Sequence, residues 1–260
     1  MIKALFFDID GTLVSFRTHT VPASVIEAIH RVREQGVKVF IATGRPLPFV
    51  NNLGDLETDG IMTVNGACCM TADGTLIRHD PVDKADLQRL IERYHQTPFP
   101  IAFAANDEVF ITPTQNDESQ QVFDLLALPV PHEAPIEHCL EMNVMQVIAF
   151  FPAEEQEEIM TNVLSGCDAQ RWHPFFTDVI RRGNNKANGI DTIIRHYGID
   201  LSETMAFGDG GNDIDMLRHA AIGVAMGNAR EEVKQAADYV TDSVDNDGIA
   251  KAINHFFNIN

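Results

Sequence analysis

The chain has 260 residues, 45% hydrophobic and 22% charged, with 16 phenylalanines; this excludes a disordered chain and suits one large domain or two modest ones. Lys plus Arg total 19 and Asp plus Glu total 38, a formal net charge of −19 that disfavours nucleic acid or an anionic membrane as partner. A small anionic substrate stays compatible if a metal ion, a lysine or a helix N-terminus supplies local positive charge.

The predicted elements alternate from the start. Ala4 to Phe7 reads as a fully buried strand, followed by a helix from about Pro22 with Val25, Ile29 and Val32 on one face and Gly36 as its stop. Val37 to Ala42 is a second strand, Pro46 suits the first turn of another helix, and Ile61 to Val64 is a third strand. The turn dipeptides Asn65-Gly66 and Asp73-Gly74 make a hairpin of Ala67 to Met70 and Thr75 to Arg78. Cys68, Cys69, Cys139 and Cys167 form no CxxC pair and read as buried thiols in a reducing cytoplasm. The apolar run before Asp8 is too short for a signal peptide, and nothing approaches the roughly 20 apolar residues of a membrane span.

The texture changes near Pro81. A helix capped by Asp83 carries Leu87, Leu90, Ile91 and Tyr94; two strand-like stretches flank Asn106-Asp107, and a helix runs near Gln115 to Leu126. A loop with Pro129, Pro131 and Pro135 precedes a strand at Val147 to Phe151, an acidic helix through Glu154 to Glu158, and a closing strand at Val179-Ile180. This is the pattern of an α+β module of about a hundred residues. After Gly183 the α/β rhythm returns: a helix with Ile190, Ile193 and Ile194 ending at Gly198, strands at Thr204 to Phe207 and Ile222 to Ala225, and a closing helix from Ile249 to Phe257. The expected fold is α/β, a Rossmann-like parallel sheet core at residues 1–81 and 183–260 with an inserted α+β domain at 82–182.

Four clusters carry chemistry. Asp8-Ile9-Asp10-Gly11-Thr12 ends a buried strand, where α/β sheets bind ligands, and in an extended segment Asp8 and Asp10 face one point. Such a pair suits a carboxylate nucleophile, a hard-metal ligand and a proton-holding neighbour; a plain Asx turn is the other reading. Gly208-Asp209-Gly210-Gly211-Asn212-Asp213 also follows a buried strand, with Asp209 placed like Asp8 and Asp213 four residues on. Thr43-Gly44-Arg45 makes an anion cradle in which Arg45 either binds phosphate or pairs with an acid. Lys186 lies near a positive helix terminus, a poor place for a cation unless an anion or carboxylate sits there. Together these are the residue types of a phosphoryl-transfer site.

DIDGT, TGR, the lysine of NKANG and GDGGND, in this order, resemble the four motifs of the haloacid dehalogenase (HAD) superfamily, and the second aspartate of the first motif resembles its phosphatase branch. The insertion resembles the C2-type cap, of the C2B kind, of the Cof-type sugar phosphatases. The resemblance implies that Asp8 is a nucleophile forming an aspartyl phosphate. It implies that Asp10 protonates the leaving oxygen and then activates water. Asp8, Asp209 and the backbone carbonyl of Asp10 would bind Mg²⁺, with Asp213 supporting the metal. Thr43, Gly44, Lys186 and Asn212 would bind the phosphoryl oxygens, and Arg45 would contact substrate or cap. The expected protein is a cytoplasmic, Mg²⁺-dependent phosphatase of small phosphorylated metabolites, sugar phosphates foremost. The alternatives are a phosphomutase of the same family, with a second phosphate site from Lys84, Arg89, Arg93, Arg171, Arg181 and Arg182, and a non-enzymatic phospho-receiver or phosphate-binding module.

Overall fold

A computed structural model describes residues 1–114, 116–125 and 128–258, with Trp172 given through its backbone alone. The chain opens with Ala4–Phe7 (β1), four wholly buried residues, and Ala23–Glu34 (α1), which turns Val25, Ala28, Ile29 and Val32 inward at helical spacing. Gly36, at φ +85°, takes the left-handed conformation that ends α1. Lys38–Ala42 (β2), Gly60–Thr63 (β3), Cys68–Thr71 (β4) and Leu76–His79 (β5) follow. Where Pro46 predicts a helix, the chain makes only one 3-10 turn, Leu47–Phe49. Pro48 crowds the helical conformation of its predecessor, and Asn51, Asn52 and Gly54 are poor helix formers.

Next come Lys84–Gln96 (α2), Ile101–Ala104 (β6), Val109–Ile111 (β7), Asp117–Leu125 (α3), His132–Glu133 (β8), Gln146–Ala149 (β9), Gln156–Asn162 (α4), Cys167–His173 (β10) and Phe176–Arg181 (β11). The expected ends of α3, at 115 and 126, lie outside the described residues. The chain continues with Lys186–Tyr197 (α5), Thr204–Gly208 (β12), Ile214–His219 (α6), Ile222–Ala225 (β13), Glu231–Lys234 (α7), Tyr239–Val240 (β14) and Gly248–Phe257 (α8).

Two compact units result: residues 1–45, 50–79 and 185–260, and residues 46–49 and 80–184. The first holds an eight-stranded sheet in the order β14-β13-β12-β1-β2-β3-β4-β5, parallel from β14 to β3. Leu5 and Phe7 join the cluster containing residues of α1 and α8, while Ala4 and Phe6 join the opposite cluster with α5 and α6. Burial on both faces is why β1 is continuously apolar. The chain builds from β1 through β2 to β3 on one side, then returns through β12 to β13 on the other. The strand order therefore reverses beside β1, where open α/β sheets form their ligand crevice.

The second unit holds a six-stranded sheet, β10-β11-β9-β6-β7-β8, antiparallel except for β7 with β8. One face packs on α2 and α4 through Leu87, Leu90 and Ile159. The other packs Ala102, Ile111, Ile148 and Phe150 with Val122 and Phe123 of α3, and Phe49 belongs to that same cluster. No helix among the described residues is long and apolar enough to cross a membrane.

Candidate active site

Asp8 is the first residue beyond β1, and its N–H donates to the Phe207 carbonyl at 3.0 Å. Phe7 lies in register with Ile41 of β2 and Phe207 of β12. Asp8, Thr43, Val64 and Asp209 therefore all leave the carboxyl edge of adjacent parallel strands, beside the reversal of strand order.

Lys186 opens α5 and is fully buried. Its Nζ donates to Asp8 Oδ1 at 2.7 Å and to Asp213 Oδ1 at 2.5 Å. Asn185, whose side chain accepts from the Asn188 N–H, caps the helix and fixes where the lysine emerges. A cation at a helix N-terminus is unfavourable on dipole grounds, and two carboxylates offset that here.

Asp213 is also wholly buried, and its Oδ2 accepts from the N–H groups of Asp209 at 2.9 Å and Gly210 at 2.8 Å. The glycine-rich loop thus folds back on its own aspartate; a Cβ on Gly208 would lie 2.5 Å from that side chain. Asp209 Oδ1 accepts from Thr12 Oγ1 at 3.0 Å, and its Oδ2 accepts from Asn228 Nδ2 at 3.1 Å. Gly11 stands at φ +84°, and a Cβ there would come 2.2 Å from Asp209 Oδ2, so only glycine admits this approach.

Asp8, Asp209 and Asp213 each offer an oxygen within 4.8 Å of the others, a group able to hold a metal ion. Burial, then the negative charge of Asp213, holds the Asp8 carboxyl well above the usual range, against the pull of Lys186. Burial and then Asp213 push Asp209 up to about 6. Burial alone would depress Lys186, but the two carboxylates outweigh it and keep the ammonium above the ordinary lysine value. One ammonium shared among three carboxylates leaves excess negative charge on hard oxygen donors, the chemistry of a Mg²⁺ or Ca²⁺ site.

Asp10 differs from the expectation. The chain leaves extended conformation at Ile9, whose carbonyl accepts from the N–H groups of Thr12 and Val14 at 3.3 and 2.8 Å. The Asp10 side chain is gripped by Arg45 instead of joining the three-carboxylate group: Nε donates to Oδ2 and Nη2 to Oδ1, each at 2.6 Å. Of the two roles open to Arg45, the structure displays the pairing with an acid. Asp10 remains close enough for its charge to act on both Asp8 and Asp209.

Thr43 is buried, and its Oγ1 accepts from the Arg45 N–H at 3.0 Å. A Cβ on Gly44 would lie 3.2 Å from Asn65 Oδ1 and 3.3 Å from Asn212 Nδ2, and those two amides are hydrogen-bonded at 3.0 Å. Asn65 is the middle of three consecutive left-handed residues, Val64, Asn65 and Gly66, with φ +50°, +50° and +88°. Direct bonds thus join Asp8, Lys186, Asp209 and Asp213, a second pair joins Asp10 to Arg45, and Asn65 bonds Asn212 beside Gly44.

Three residues at this edge, Thr12, Asn65 and Asn228, escape sequence reasoning. Asn65 reads as the first half of a turn dipeptide, and Thr12 as a bystander within the DIDGT run. Asn228 also bonds the Gly11 carbonyl at 2.9 Å and accepts from the Val244 N–H at 2.9 Å. Its one available signal is a Gly-Asn pair shortly after a buried strand. All four cysteines are buried and outside any disulfide, and burial pushes Cys69, Cys139 and Cys167 up to about 12, which makes those three inert thiols.

The chain matches the family model of haloacid dehalogenase-like hydrolases over residues 5–253. Among solved structures, the HAD subclass IIB sugar phosphatase BT4131 is 45% identical, with a TM-score of 0.88 covering 99% of this chain and 100% of that one. BT1666, a phosphatase from Bacteroides thetaiotaomicron, is 41% identical with a TM-score of 0.91, covering 100% and 96%. YkrA of Bacillus subtilis (strain 168), provisionally named a phosphatase, is 32% identical over 253 residues, 96% of each chain.

Proposed function

Because the chain belongs to the haloacid dehalogenase-like hydrolases and is a phosphatase of that family, we propose that it hydrolyses small phosphorylated metabolites, sugar phosphates foremost, with Mg²⁺ and through an aspartyl phosphate on Asp8. The observation that carries this reading is Asp8 itself. It sits at the tip of the central strand, with one oxygen on the buried ammonium of Lys186 and a place in the three-carboxylate group. The similarity to BT4131 supports sugar phosphates as the class.

In the first step an Asp8 carboxylate oxygen attacks phosphorus and the bond to the leaving oxygen breaks, while Asp10, protonated on an oxygen that Arg45 has released, passes its proton to the leaving oxygen. In the second, Asp10 takes a proton from water, the water oxygen attacks phosphorus, and the bond to Asp8 breaks. Inorganic phosphate leaves and both aspartates are restored. Lys186 holds the nucleophile in one orientation, and with Thr43, the Gly44 N–H and Asn212 it receives the phosphoryl oxygens. The carboxylates of Asp8 and Asp209 and the Asp10 carbonyl would hold Mg²⁺, with Asp213 supporting from behind. The ion would neutralise phosphoryl charge. Residues 1–81 and 183–260 are the catalytic core in this reading and 82–182 its cap, with Arg45 the core residue nearest to a substrate-reading role. A cytoplasmic setting belongs to the same proposal, supported by four buried cysteines that form no disulfide.

A mutase needs a second phosphate cradle. In the second unit Lys84 is bound to the carbonyls of Cys139, Leu140 and Met142, and Arg171 to those of Phe151 and Pro174. Arg89, Arg93, Arg181 and Arg182 pair with Asp86, Glu155, Asp80 and Asp168. All six candidate cations are thus engaged inside their own unit, which favours hydrolysis. The test is a panel of sugar phosphates and an aryl phosphate, assayed with Mg²⁺ and with excess chelator. Free phosphate should appear only with the metal; an isomeric sugar phosphate without free phosphate, or full turnover in chelator, would overturn the reading.

A further inference from the structure

Arg45 stands at a junction. Its backbone is pinned in the first unit, the N–H donating to Thr43 Oγ1 at 3.0 Å and the carbonyl accepting from the Val64 N–H at 3.1 Å. Its guanidinium grips both oxygens of Asp10, a fork geometry that fixes the carboxylate plane as well as its position. The next four residues belong to the second unit. Pro46 stiffens the step between them by fixing its own φ. Three residues further on, Phe49 is buried in the apolar cluster with Ile111, Val122, Phe123, Ile148 and Phe150. The chain otherwise passes between the units only near residues 79 and 184. There, within the second unit, Asp80 takes both Arg181 at 3.1 Å and the Asn184 amide at 3.1 Å, a tie between the entering and leaving segments. Segment 46–49 is therefore a separate excursion, and it begins immediately after the residue that holds Asp10.

We propose that this segment couples the inserted unit to the chemistry: Phe49, anchored in that unit's core, sets through Arg45 the orientation of the Asp10 carboxylate. A displacement of Phe49 then moves the arginine fork and is felt at the proton-transfer residue. Arg45 is a positioning residue in this account, and Phe49 acts through it. The proposal rests on the acid–base role given to Asp10 above.

The test compares kcat/KM on an alkyl phosphate, β-glycerol phosphate, with kcat/KM on p-nitrophenyl phosphate, whose leaving group needs little protonation. Thermal unfolding is measured on the same full-length proteins. Asp10→Asn is expected to lower the alkyl-to-aryl ratio on the order of 100-fold, the usual size of general acid catalysis. Arg45→Lys, which keeps the charge but loses the fork, and Phe49→Ala are each expected to lower it on the order of tenfold. Phe123→Ala, in the same cluster but off the segment, should cost comparable stability and leave the ratio at the parental value. If Phe49→Ala does not fold, Phe49→Leu is read instead, with a smaller fall in the ratio expected. A Phe49 variant at the parental ratio, or one matched by Phe123→Ala, overturns the coupling while the Asp10 result stands. If Asp10→Asn itself leaves the ratio unchanged, the acid–base reading fails, and the coupling falls with it.

Discussion

The two sheets treat charge differently. In the six-stranded sheet's unit the buried carboxylate and the candidate cations find local partners: Asp86 takes Arg89 and the Gly166 N–H, and Lys84 is spread over three carbonyls. At the carboxyl edge of the eight-stranded sheet the balance fails, because Asp8, Asp209 and Asp213 share the one buried ammonium of Lys186. Locally closed pairs hold a fold together and leave nothing over for a ligand. An uncompensated cluster is destabilising until something binds, which is why strongly shifted groups mark functional sites.

The largest effect that sharpens this contrast should come from Asp8→Asn. The amide is nearly isosteric, so thermal unfolding should move little, while turnover should fall on the order of 10⁴-fold or more with the loss of the nucleophile. Activity within tenfold of the parent would break the assignment. Next in size is Lys186→Met, which leaves Asp8 and Asp213 buried without a cation. Denaturant unfolding at neutral pH should show a loss of about 3–5 kcal/mol. The loss should shrink in acid, where the carboxylates can protonate; a loss that does not change with pH would mean that packing, not charge, is what the lysine supplies.

A third test uses pH and metal together. The folded-state pKa of Asp209, about 6, lies above the ordinary carboxylate value. Its protonated form therefore favours the fold below that ordinary value, and the benefit is lost as pH rises through about 6. A divalent cation binds the ionised form, so it offsets a penalty that exists only at the higher pH. The gain in Tm on adding Mg²⁺ to chelator-treated protein should be small near pH ~5 and larger near pH ~7.5. A gain independent of pH would place the metal elsewhere. The smallest effect belongs to the inserted unit: Arg182→Ala breaks an exposed pair with Asp168 and should change stability by less than about 1 kcal/mol, with aryl phosphate turnover intact. A tenfold fall in turnover would show that this unit's cations do serve a phosphate.

Much of this was legible in the sequence wherever a buried strand runs straight into a polar residue. Ala4 to Phe7 before Asp8, and Met205 to Phe207 before Asp209, place both carboxylates at strand tips with no tertiary knowledge. Lys186 was legible as a misplaced cation in want of an anion. What was not legible depends on contacts between distant segments. Asp10 turns to Arg45 because the chain bends at Ile9 and closes a bridge with Val14. Asn228 reaches Asp209 from 19 residues away because β13 lies beside β12. Among strands, β8 and β14 have two residues each, too few for any periodicity. The edge strand β10 mixes polar and apolar side chains without a clean alternation. The expected helix at Pro46 proved to be one turn, and that turn carries Phe49.

Val64 has a consequence for how the protein comes together. A β-branched residue at φ +50° is held about 1–2 kcal/mol above its relaxed conformation. Two further left-handed residues follow it, so no short peptide of this sequence would choose that shape. The turn that brings Asn65 to Gly44 and Asn212 is imposed from outside, by the pairing of β2 with β3 and by the closeness of Gly66 to the Asn185 carbonyl. This corner of the proposed anion cradle should therefore form late in folding, when the long-range neighbours are in place. On partial unfolding it should be lost early, with the strands around it still paired: a chain can keep its sheet and already have no place for a phosphate.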